Sequence, residues 1–124
     1  MRLKHFILAA ALATTPGLAS AHEGAGPNGG QIVEVQGHHV EFTTKDKEIV
    51  LFLTDEKSKP IASNGASGRV IIQDGGKQVT ADLAAVEPNV LSAKLDAPLA
   101  AGAKVVVSAK LADGHDIQAR FVAK

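Results

Sequence analysis

Apolar and polar residues alternate with a period of two along most of the chain beyond residue 30. Residues 31–36 read as a strand closed by Gly37, and residues 38–44 as the strand that returns. Successive side chains on a strand point to opposite faces. Val40 and Phe42 therefore share a face with His38, while Glu41 and Thr43 share the other with His39. On this pattern Glu41 is a solvated position. Residues 48–54 are apolar on both faces, as a central strand requires. Residues 69–73 and 77–83 flank Asp74-Gly75-Gly76, a hairpin signal. Residues 90–95, 103–111 and 116–123 alternate in the same way, and Glu87-Pro88-Asn89, Ala101-Gly102 and Asp113-Gly114 turn the chain between them.

Seven or eight short strands at this spacing, with no sustained helical periodicity beyond the N-terminal segment, predict an all-β, immunoglobulin-like antiparallel β-sandwich. A small open barrel is the alternative. Each alternating strand has one apolar face, and that face needs a second sheet to cover it.

The first 21 residues break the pattern. Met1–His5 is basic, Phe6–Ala13 is apolar but too short for a permanent membrane span, and Ala19-Ser20-Ala21 has the small-x-small form of a processing site. Together these read as a secretory signal peptide. The expected organisation is a signal peptide over 1–21, a flexible Gly/Pro-rich segment over 22–30 and a sandwich domain over 31–124. The processed chain would begin at His22, be exported (in a bacterium, to the periplasm) and have no membrane insertion after signal removal.

Processing removes Arg2 and Lys4 and no acid, leaving 11 basic against 13 acidic residues. That balance gives no electrostatic case for nucleic acid or anionic lipid as a partner. There is no cysteine, so thiolate metal sites, thiol catalysis and disulfide staples are all excluded. With four phenylalanines and no tryptophan or tyrosine, a base-stacking or sugar-stacking platform lacks its rings. No nucleophile elbow, phosphate loop or dinucleotide fingerprint occurs. The expectation is a protein that is not an enzyme.

The histidines remain: His22, His38, His39 and His115 after processing. Neutral imidazole suits copper, zinc, nickel and cobalt. Taken singly, each has an ordinary reading. His22 can be a frayed terminus, His115 can decorate a hairpin, and His38 and His39 point to opposite faces of one strand. One metal would take both of the latter only if the backbone after Gly37 were irregular. Taken together, the four point to a metal.

Two resemblances add to this. Residues 98–122, with Leu-Ala-Ala-Gly and Asp113-Gly114-His115, resemble the end of the CopC-type periplasmic copper-binding proteins. That resemblance implies an immunoglobulin-like sandwich holding Cu(II) through a terminal histidine and an Asp-x-His pair, here His22, Asp113 and His115. Gly26–Gln31, His38–Glu41 and Leu51–Asp55 resemble small periplasmic proteins and N-terminal segments that accompany heavy-metal efflux adaptors. The function so implied is that of a carrier or buffer for a divalent transition metal, copper first, with an efflux adaptor or transporter as partner. The competing reading is a structural or interaction module that docks to an efflux or envelope component, its histidines incidental.

Overall fold

In the computed structural model the described residues are 22–124, with side chains described from Ala25 onward. The expected signal peptide lies outside them. They form nine antiparallel strands: β1 (His22–Ala25), β2 (Gln31–Val35), β3 (His38–Lys45), β4 (Glu48–Asp55), β5 (Ser67–Asp74), β6 (Lys77–Val86), β7 (Val90–Lys94), β8 (Lys104–Lys110) and β9 (Asp116–Val122). None of the described residues is helical, and no helix among them is long and apolar enough to cross a membrane.

The strand order is β1-β2-β3-β4-β7-β6-β5-β8-β9. From β3 onward this is the strand order of the seven-stranded immunoglobulin sandwich. Strand β6 joins the two layers. Its first part, Lys77–Leu83, pairs with β5, and its last three residues, Ala84–Val86, pair with β7. At the far edges the layers meet again, where the Gln31 side-chain amide on β2 donates to the Val122 carbonyl on β9 at 2.6 Å.

The core follows from the alternation. Val40 and Phe42 of β3, Ile49, Leu51 and Leu53 of β4, and Leu91 and Ala93 of β7 line the inner face of one sheet. Val70 and Ile72, Val105 and Val107, and Ile117, Ala119 and Phe121 line the other. The Phe42 and Phe121 rings stack between the layers with centroids 4.8 Å apart. At Gly68 the β5 backbone packs so closely on β8 that a Cβ would run into the Ser108 carbonyl.

Within residues 22–30, expected as a flexible segment, β1 pairs with β2 through His22–Ile32 and Ala25–Gln31, with a register shift between the two pairs. One expectation needs correction: Glu41 is not solvated, at 4% exposure. Its carboxylate accepts from the Asn28 backbone N–H and side-chain amide, both at 2.9 Å, and from the Gly30 N–H at 2.8 Å. The reason is local. The turn at Gly26–Gly30 folds over the outer face of β3, and Gly26 and Gly30 both sit where a Cβ would collide with that strand or its side chains. Three donors then turn an exposed strand position into a buried, satisfied carboxylate.

Candidate metal centre

Gln36 and Gly37, at φ 50° and 78°, turn β2 into β3. Consecutive residues at positive φ give the hairpin turn whose twist matches that of paired strands. The turn places His38 at the first position of β3, paired with Val35 on one side and Asp55 on the other. His38 shares the inward side with Val40 and Phe42 and is 8% exposed. At the same end of the sandwich, β8 and β9 are joined by the turn Leu111–His115. It is closed by hydrogen bonds from the Leu111 N–H to the His115 carbonyl and from the Gly114 N–H to the Leu111 carbonyl. Gly114 takes φ 91°, a conformation that costs glycine little.

This turn carries Asp113 and His115 up to His38. One oxygen of Asp113, Oδ2, lies 2.9 Å from His115 Nδ1 and 3.5 Å from His38 Nε2. Its other oxygen accepts the His115 backbone N–H at 2.9 Å. The two imidazole rings meet edge to face with centroids 5.3 Å apart. One donor atom from each of His38, Asp113 and His115 falls within 4.8 Å of the others. Ligands held about 2.0–2.1 Å from a metal ion lie roughly 3–4 Å from one another, so a small closure of this group would suffice.

Two ring nitrogens and a carboxylate oxygen converge here. His38 Nδ1 lies 3.2 Å from the Val35 carbonyl, and a carbonyl only accepts, so Nδ1 donates there. His38 Nε2 faces Asp113 Oδ2 at 3.5 Å and donates to it when it carries a proton. Asp113 is itself an anion: hydrogen bonds from the His115 ring, then from the His115 backbone N–H, with a smaller one from His38, hold its carboxyl down to about 2. A proton or a metal ion between His38 Nε2 and Asp113 Oδ2 satisfies both atoms. The Val35 carbonyl does for His38 what outer partners do for ligating histidines, fixing the tautomer and the ring orientation. Sequence reading did not find this carbonyl, because a backbone oxygen leaves no mark in residue identity.

The other expected ligands lie elsewhere. His39 points to the opposite face of β3, with Nε2 3.8 Å from Glu34 Oε2. The strand is regular from its first residue, so His38 and His39 do not converge on one ion. His22 lies on β1 with its backbone opposite Ile32, away from the Val35–His38 pair. The structure thus joins His38 to the expected Asp113 and His115, and separates His39 from them.

Compared with known proteins, the chain matches no protein-family model, no curated protein and no solved structure.

Proposed function

We propose that this chain is an exported binding protein for a divalent transition metal, held by His38, Asp113 and His115. One observation carries the reading: a buried histidine on β3 meets an Asp-x-His pair on the β8–β9 turn, with its Nε2 3.5 Å from an Asp113 oxygen and the three donor atoms within 4.8 Å of one another. Two imidazoles and a carboxylate suit copper, zinc, nickel and cobalt, and Cu(II) leads the divalent series in affinity for such a set. Asp113 and His115 are half exposed, which suits loading and release and so a carrier or buffer. The N-terminal signal-like segment and the resemblance to efflux-associated proteins support a periplasmic role beside a metal-efflux adaptor or transporter.

A second reading has its own support. The His115–Asp113 hydrogen bond is complete at 2.9 Å without any ion, so the group can serve as a polar clasp in a structural or interaction module. Titration calorimetry with Cu(II) and Zn(II) on residues 22–124 separates the two. Under the metal reading, His38→Ala and His115→Ala each lose more than the ~10–100-fold that altering an outer-shell partner costs, while His39→Ala stays close to the parent. Equal affinities in all four proteins would leave the clasp as the reading.

A further inference from the structure

Among the described residues, strand β6 leaves one side unpaired over most of its length. Along Lys77–Leu83 it pairs with β5 alone, and β7 takes up its other side only from Ala84. The hairpin at Gly75-Gly76 fixes which backbone groups are free. Asp74 and Lys77 flank this two-residue turn as a hydrogen-bonded pair, and such pairs alternate along an antiparallel ladder. Lys77, Val79, Ala81 and Leu83 therefore bond to β5, while the N–H and C=O groups of Gln78, Thr80 and Asp82 point away from it.

Proteins blunt such edges with bulges, prolines, charges or a covering segment. The outer edges of the two sheets show this: β1 is four residues long with a register shift, and Gln31 of β2 bonds across to Val122 of β9. The free stretch of β6 keeps an unbroken register with β5. It has no proline, and its charges, Lys77 and Asp82, stand toward its ends. Between them Val79 is 47% exposed, on the face that Leu83 buries.

We infer that this edge pairs with its own copy: β6 of one molecule lies antiparallel to β6 of a second, about a two-fold axis at Thr80. Thr80 is the midpoint of the stretch 77–83, so this register pairs all of it with itself. Gln78 then exchanges backbone hydrogen bonds with the partner's Asp82, and Thr80 with the partner's Thr80, so every free N–H and C=O is satisfied. The side chains agree. Gln78 accepts from the Gln73 amide through Oε1 at 3.3 Å, which leaves its own amide N–H groups to donate to the partner's Asp82. Facing threonines are a favourable cross-strand pair. On the inner face Val79 meets the partner's Ala81 and loses its exposure. Gly75 and Gly76 have open space where a Cβ would lie, so the hairpin tip can pass the partner's β7. Seven residues a side fall well short of the roughly 20–30 of a standard interface, so the dimer is weak and forms as concentration rises.

The test is sedimentation of residues 22–124 from micromolar to millimolar concentration, beside Val79→Lys and Thr80→Pro. The parent should pass from monomer to dimer over that range. Both variants should stay monomeric and keep the parent's far-UV circular dichroism, because neither change removes a bond to β5. The chain has no cysteine, so single cysteines report the register. The two Thr80 Cα atoms would lie about 5.5 Å apart, within disulfide reach, and the two Gln78 Cα atoms on the order of 14 Å apart. Under mild oxidation Thr80→Cys should cross-link into a dimer and Gln78→Cys should not. A parent that stays monomeric throughout, variants that dimerise like the parent, or equal cross-linking at the two positions would overturn the inference.

Discussion

A single carboxylate sets the character of the candidate centre. Asp113 receives two hydrogen bonds from His115 and a weaker one from His38, and these hold its carboxyl down to about 2. An aspartate titrates near ~3.9 in an unfolded chain, so folding favours the ionised form. The contribution to stability is fully present above the unfolded value and is lost as the pH falls through about 2. In chelator-treated protein, Asp113→Asn should therefore lower the urea midpoint at pH 5, and the gap from the parent should narrow steadily between pH 4 and pH 2. A gap that stays constant over that range would mean that the carboxylate is not the group being stabilised. Asp113 and His115 stand out in the sequence because Asp-Gly-His interrupts a run of alternating residues. Their meeting with His38 does not, because 75 positions separate His38 from Asp113 and only the closing of one sheet over the other brings them together.

At the scale of the element, eight of the nine strands could be read from the sequence, β4 as a run apolar on both faces and the others from alternation, since the side-chain period of a strand is two; β6 nevertheless buries only Leu83. The two-residue turn at Gln36-Gly37 and the hairpin at Asp74-Gly75-Gly76 fell where glycine could take positive φ, and both glycines do so. Strand β1 escaped because His-Glu-Gly-Ala has no apolar alternation. It exists as an edge strand, and the Gly26–Gly30 turn that follows it is tied down by Glu41. Glu41→Ala tests this. Three donors lose their acceptor, and a hydrogen bond to a charged group is worth about 1.5–3 kcal/mol. The arm can rehydrate once it is released, so the cost in global stability should fall near the low end, at ~1–2 kcal/mol. The larger effect should be local. Hydrogen exchange at Gly26, Asn28 and Gly30 should accelerate and proteolysis should begin within 22–30, while the β4–β7 pairing keeps its protection. Uniform loss of protection across both sheets would instead make Glu41 a determinant of the whole fold.

At the scale of the molecule, the candidate centre sits between the two layers at one end of the sandwich. Strand β6 links the sheets along one side, the stacked Phe42 and Phe121 fill the middle, and His38 meets the β8–β9 turn at one end. An ion held there would tie β3 in one sheet to β8 and β9 in the other. The same histidines are scattered in an unfolded chain, so this binding belongs to the folded state alone. A ligand that binds only the folded state stabilises it by RT ln(1 + [L]/Kd), about 2.7 kcal/mol at a free concentration one hundred times Kd. For a domain of this size, that is a rise in Tm of roughly 10–20 °C. A metal chelated only by the terminal amine and ring of His22 behaves differently. Those two donors belong to one residue and are equally available when the chain is unfolded, so such binding leaves Tm nearly unchanged. Thermal denaturation of residues 22–124 with increasing Cu(II) or Zn(II) therefore reports where the ion sits as well as whether it binds. The parent and His22→Ala should both show the rise, and His38→Ala should not. Metal uptake by calorimetry without any shift in Tm would place the ion on the terminus and leave the His38, Asp113 and His115 group as a hydrogen-bonded joint between the sheets.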